Sequence, residues 1–207
     1  MARATVPFLA ALMAVGCVSV PHSVELSGVA SCCTSVSQFR YEYLAEGQQF
    51  ITPISEASPA FRFASGMSHF SAFHLPPAGA SGLVLSVDTY WAAASKERPQ
   101  VFSPSVTFYD KNFQPLATKL LMLSYQGTAS QEGGHWRSRV STPVEAQYAV
   151  LYTEARRVGN TLAVSTDENS PGLLMIGRAF AYYSAGGPGQ AKYPCGHLGQ
   201  LALSVYR

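Results

Sequence analysis

Four cysteines, five histidines and twelve acidic residues are the side chains of this chain that could close a disulfide, hold a metal or carry acid–base chemistry. Cys32 and Cys33 are adjacent, and Cys195 lies near the far end beside His197. These four are enough donors for zinc, but no CxxC spacing accompanies them, so a metal site ranks behind the alternatives. A bridge from Cys32 or Cys33 to Cys195 is the leading expectation, and free thiols come second. It would close a long loop, worth at most about 5 kcal/mol in the chain-entropy account, and leave one thiol over. A vicinal Cys32–Cys33 ring would be strained. His69 and His74 face opposite sides of any single strand that holds both. His135 and His197 stand alone, and surface or turn positions are expected for the histidines. No metal and no cofactor is assigned.

Nucleophilic and hydrolytic chemistry have little support. No G-x-S-x-G occurs, and Gly66-Met67-Ser68-His69-Phe70 fails at its last position. A glycosidase needs two carboxyl groups flanking one bond, and Asp88, Glu145 and Glu154 form no recognisable pair. Gly186-Gly187-Pro188-Gly189 is followed by no helical pattern, so it is neither a phosphate loop nor a dinucleotide fingerprint. Asp110-Lys111-Asn112 offers oxygens at calcium-loop spacing, but it lacks further carboxylates and reads better as a turn. Aromatic rings remain. Tyr90, Trp91, Tyr125 and Trp136 fall near the ends of expected strands, where rings could stack on a sugar. Packing is the competing reading for each, since large aromatics dominate cores.

The elements that must position these residues read as strands. Phe39, Tyr41 and Tyr43 alternate with Arg40, Glu42 and Leu44, and Phe61-Arg62-Phe63 alternates again. His69–Leu75, Leu83–Trp91, Val106–Asp110, Trp136–Val140, Tyr148–Thr153, Leu173–Tyr183 and Leu198–Tyr206 complete the clear set. Leu116–Tyr125 is ambiguous and is taken as strand. Residues 156–169 are expected to hold a helical turn or a loop, and residues 184–190 a loop. Strands without intervening long helices predict an all-β fold. The specific expectation is an antiparallel, jelly-roll-like β-sandwich of about eight to ten strands.

The chain is sparse in charge, 13% of residues, and carries a formal net charge of +2. No basic stripe favours nucleic acid. Arg3, the apolar run Val6–Val15 and the closing Ala14-Val15-Gly16-Cys17 form an export signal, too short to remain as a spanning helix. The last four residues are similar to a bacterial lipobox, which makes Cys17 the acylated first residue of the mature chain. Simple cleavage is the alternative. The expected organisation is a removed signal over 1–16, a lipidated N-terminus and tether over 17–34, and a β-sandwich over 35–207. Val18, with no aspartate after the cysteine, favours the outer membrane facing the periplasm.

One stretch, Phe61 to Val164, carries a family resemblance. It runs through Phe63-Ala64-Ser65-Gly66 and Ala72-Phe73-His74-Leu75-Pro76 to Gly82-Leu83-Val84-Leu85-Ser86-Val87. Val101-Phe102-Ser103-Pro104-Ser105-Val106, Tyr109-Asp110-Lys111-Asn112, Pro115 and Ser124-Tyr125-Gln126 follow, and Tyr148-Ala149-Val150-Leu151-Tyr152-Thr153 closes the series. In that order they resemble the maltose-operon periplasmic protein family, MalM, over about half of the mature chain. The resemblance implies an exported, β-rich protein linked to carbohydrate uptake, with no catalytic residues to transfer. The lipobox and the Cys32-Cys33 pair depart from that family, as does an end at the sandwich.

The expected role is a non-catalytic accessory that binds a glycan or a transport protein, anchored to the membrane through Cys17. The alternative is a structural envelope lipoprotein that binds another protein through a sheet edge or an apolar patch. A hydrolase comes third.

Overall fold

The computed structural model describes residues 26, 28–79, 82–92, 100–126, 134–166, 172–176, 179–183 and 189–207. Of residues 91, 92, 163–166, 172–176, 179–183 and 189–192 it describes the backbone alone. The fold is all-β and sandwich-like, as the alternating sequence predicts. Its described strands are β1 (Glu42–Tyr43), β2 (Gln49–Ile54), β3 (Ala60–Phe63), β4 (Gly66–His74), β5 (Val84–Ala92), β6 (Gln100–Phe102), β7 (Ser105–Tyr109), β8 (Pro115–Leu120), β9 (Ser124–Gln126), β10 (His135–Ser141), β11 (Tyr148–Tyr152), β12 (Thr161–Thr166), β13 (Gly172–Ile176), β14 (Ala179–Tyr183), β15 (Gly189–Gly196) and β16 (Gly199–Tyr206).

The first sheet runs β1-β4-β11-β7-β8, with β3 also paired to β4. The second is built on β5, which is flanked by β10 and β16 over the same residues, Val84–Tyr90. Outside them lie β9 on β10 and β2 on β16. β6 takes over from β16 at Trp91 and Ala92, and β15 and β12 extend the sheet beyond it. Pairing is antiparallel except for β1 on β4 and β15 on β6.

Period-two alternation decides where each side chain goes. Leu85 and Val87 of β5 and Leu201, Leu203 and Val205 of β16 point inward. They meet Phe73, Val106, Phe108, Ala149 and Leu151 of the first sheet in one buried core. The opposite face of the first sheet is apolar too. Phe70, Ala72, Val150, Tyr152 and Tyr109 are roofed there by Phe39, Tyr41, Phe61 and Phe63. Phe63 stacks on Tyr152 with centroids 3.8 Å apart and planes at 5°.

That roof explains one departure from the sequence pattern. Phe39 to Leu44 is not a strand throughout: Val36–Gln38 is a 3₁₀ turn, and only Glu42–Tyr43 pairs. The aromatic residues here alternate because they lie across a sheet face, which the pattern alone does not distinguish from lying within one. Packing also begins before residue 35, since the Cys32 N–H donates to the Ala60 carbonyl. Leu116–Tyr125 resolves into β8 and β9. A 3₁₀ turn, Ala155–Arg157, is followed by a strand, β12, and residues 167–169 lie outside the described residues. The Asp110 turn is as expected: its Oδ1 accepts from the N–H groups of Asn112 and Gln114, both at 2.8 Å. Cys17, the residues read as an export signal and most of those read as a tether lie outside the described residues.

The junction of β16 and β6 is tight. A Cβ on Gly199 would lie 2.7 Å from the Phe102 Cβ and 2.9 Å from its backbone nitrogen. Gly199→Ala is therefore expected to destabilise the fold by about 1–3 kcal/mol, read from the urea midpoint. An unchanged midpoint would show that the two strands are not held this closely.

Candidate ligand-binding face

On β5 the residues between the core positions, Ser86, Asp88 and Tyr90, turn to the outer face of the second sheet. Register places their neighbours. Gln126, His135, Tyr90 and Gln200 form one row across β9, β10, β5 and β16, and Ser124, Arg137, Asp88 and Ala202 form the next. Arg137 donates to both oxygens of Asp88, from Nε at 2.6 Å and from Nη2 at 2.9 Å. Asp88 is 5% exposed although it faces away from the core. The paired guanidinium is what makes burying this carboxylate tolerable. His135 Nε2 lies 3.8 Å from the same carboxylate.

Tyr90 and His135 lie with ring centroids 5.3 Å apart and planes tilted by 32°. Both are half-buried, and Gln200 beside them is exposed. Burial, and then the Asp88 charge, push the Tyr90 hydroxyl up, so it stays a donor at neutral pH. The row thus presents two rings edged by carboxamides and by a fixed guanidinium, all on a rigid sheet.

The aromatic residues singled out in the sequence do not all meet here. Tyr90 does. Trp136 alternates to the inner face and is 2% exposed, packed edge-on against Tyr125 at 5.3 Å and Tyr193 at 4.9 Å. It cannot offer a ring face to a ligand, and that expectation is corrected. Tyr125 is half-buried against it on the same inner side. Trp91 pairs with Val101 in the β5–β6 ladder, and its side chain lies outside the described residues. Arg137 and Gln200 were not singled out in the sequence, and His135 stood there only as an isolated histidine. Their signal was the register of β10 and β16 on β5, which a single sequence does not carry.

The cysteines also depart from expectation. Cys32, Cys33 and Cys195 are all free. Cys32 is exposed with the Cys33 thiol beside it, whereas Cys195 is buried next to Ser103 and Arg157. The distant bridge fails because the start of the domain covers the first sheet while Cys195 sits in the β15–β6 ladder.

Two histidines are core residues rather than surface ones. His69 and His197 are buried, with Ser68 Oγ 3.4 Å from His197 Nδ1. This is not an acyl-transfer pair. Ser68 is fully buried, and its hydroxyl donates to the His69 carbonyl at 2.8 Å and accepts from the Thr153 N–H at 3.1 Å. The nearby Glu154 is likewise committed, accepting from Ser105 at 2.7 Å and pairing with Arg156. Burial alone would raise its carboxyl, but these partners outweigh that and hold it low. The Cys195 thiol is pushed up by burial, away from the thiolate that nucleophilic chemistry needs. The cluster ties β4 to the residues that follow β11 and to the end of β15 through the Thr153 bonds to Ser68 and Gly196.

No protein-family model, no curated protein and no solved structure matches this chain.

Two outcomes are expected. In a double-mutant cycle of Asp88→Ala and Arg137→Ala, the coupling should exceed about 1 kcal/mol. A value near zero would mean the pair does not fix the face. Separately, burial and then the His69 charge push His197 down to about 4 from an ordinary 6.5. Between those values the unfolded chain binds more protons than the folded one. Stability is then complete above pH 6.5 and falls by up to about 3 kcal/mol as pH drops towards 4. His197→Asn should flatten that slope in denaturant titrations at stepped pH. The same slope in both proteins would place the titrating group elsewhere.

Proposed function

We propose that this chain is an exported, lipid-anchored, non-catalytic protein that binds a glycan on the outer face of its second sheet, as an accessory to carbohydrate uptake. The observation that carries the reading is the half-exposed row Gln126–His135–Tyr90–Gln200 beside the fixed Arg137. A sugar has apolar ring faces and a girdle of hydroxyls. Tilted aromatic rings suit the first, and planar carboxamide and guanidinium groups suit the second. The carboxylate in the patch is neutralised by Arg137, so it serves as an anchor rather than as an acid or base.

Two sequence features support the setting. The lipobox-like ending at Cys17 suits an outer-membrane lipoprotein facing the periplasm, and the Phe61–Val164 stretch resembles the maltose-operon periplasmic protein family. A ligand such as a maltodextrin fits that setting.

The test is a glycan array with maltodextrins, probed with the mature chain carrying Cys17→Ser. Saturable binding is expected, weakened at least about tenfold, or about 1.4 kcal/mol, by Tyr90→Ala or Gln200→Ala. It should be unaffected by Tyr43→Ala on the first sheet. No binding, or binding indifferent to Tyr90 and Gln200, counts against the reading. In a host that exports the protein, Cys17→Ser should release it from membranes into the soluble fraction. Continued membrane fractionation would refute lipidation.

A further inference from the structure

We propose that the groove between β8 and β10 receives an extended acidic segment of a partner protein, which adds as a strand to the β10 edge. Along β10, successive residues turn their backbone groups to opposite sides. The Thr142 N–H donates to Leu83 on the β5 side. The residues of opposite parity, Arg137, Arg139 and Ser141, therefore face away from β5. The Arg137 carbonyl accepts from Ser124 Oγ at 3.1 Å, and the Ser141 carbonyl from Lys119 Nζ at 2.8 Å. Between them, the N–H and C=O of Arg139 have no partner among the described residues, because β9 reaches only as far as the Arg137–Ser124 pair. An unpaired strand edge of this kind is a template for another extended chain.

The groove has a volume of about 640 Å³, and no acidic residue lines it among the described residues. Lys119 and Arg139 have no carboxylate within ion-pair distance among the described residues, whereas Arg137 is held by Asp88. Leu121 is buried in its floor, and Leu120 and Met122 stand 39% and 76% exposed at its side. Cations, apolar side chains and a free backbone pair together match a peptide that alternates acidic and apolar residues. An anionic polysaccharide would answer to the cations but not to the edge or to Met122. The groove shares Gln126 and Arg137 with the glycan face, but Lys119 and Arg139 lie outside that face and Tyr90 and Gln200 outside the groove, so substitutions at these four residues test the two proposals independently.

The probe is a short fluorescent peptide of alternating glutamate and valine, with its lysine–valine counterpart and polygalacturonate as comparisons. The protein is the mature chain carrying Cys17→Ser. Anisotropy should show the acidic peptide binding, at least about tenfold more weakly with Lys119→Glu plus Arg139→Glu. Arg139→Ala keeps the N–H and should bind more tightly than Arg139→Pro, a residue that edge strands tolerate. In the unaltered protein, peptide binding should slow hydrogen exchange at the Arg139 amide. Equal binding of both peptides, an unprotected Arg139 amide, or no peptide binding at all would overturn the proposal. Binding of polygalacturonate alone would do the same and would assign the groove to a glycan.

Discussion

The alternation along Val84–Tyr90 is the constraint on which the rest of the molecule depends. Leu85 and Val87 close the core between the sheets, and Ser86, Asp88 and Tyr90 form the opposite surface. β10 and β16 both pair over these same residues, so a slip of one position would push Asp88 into the core and expose Leu85 and Val87. The Asp88–Arg137 pair works against that slip. It forms only where the two residues stand opposite each other, and it stabilises the register that also builds the core. Core and candidate site are therefore two faces of one pairing.

The two sheets are not equivalent. The first is apolar on both faces, and its outer face is covered by Phe39, Tyr41 and the β3 segment. Its face is thereby used up in stabilising the fold through stacked and edge-on rings. The second sheet keeps Tyr90, His135, Arg137 and Gln200 on its outer face, all but Gln200 half-buried. The proposed ligand face lies on this sheet, where polar side chains are held in place by strand pairing.

Alternating hydrophobicity made β4, β5, β7, β10, β11 and β16 legible, because apolar side chains recur at their core-facing positions, although Thr89 interrupts that face of β5 and Ser138 that of β10. β2 was missed. Its residues Gln49–Ile54 are mostly exposed, and Pro53 argues against a strand unless the strand lies at an edge, as this one does. β15 hides for another reason: Gly189, Pro194 and Gly196 are poor strand formers and break its apolar alternation. For the site, aromatic type alone selected Tyr90 and Trp136 equally. Which one meets solvent depends on strand parity: Tyr90 shares the Asp88 face of β5, and Trp136 shares the Ser138 face of β10. Asp88 and Glu154 were legible as carboxylates but not as buried ones, since their partners come from other strands or from a turn. The free cysteines follow from tertiary placement, which spacing does not encode.

An open sandwich has to manage its edges, and the way this one does so bears on what it can bind. β8 is an edge strand that begins with Pro115, and Lys119 reaches from it to the Ser141 carbonyl, closing part of the gap to β10. Proline and lysine on an edge are ordinary guards against pairing with another copy. Here the guard is selective. Two copies meeting edge to edge would bring Lys119 and Arg139 of each against the same charges of the other, which repels them at the distances of strand pairing. An acidic strand meets the opposite balance at the same place. The residues that keep the edge from pairing with itself thus define the charge of the chain it can admit, and the N–H and C=O of Arg139, unpaired among the described residues, supply the backbone bonds that such a chain would complete.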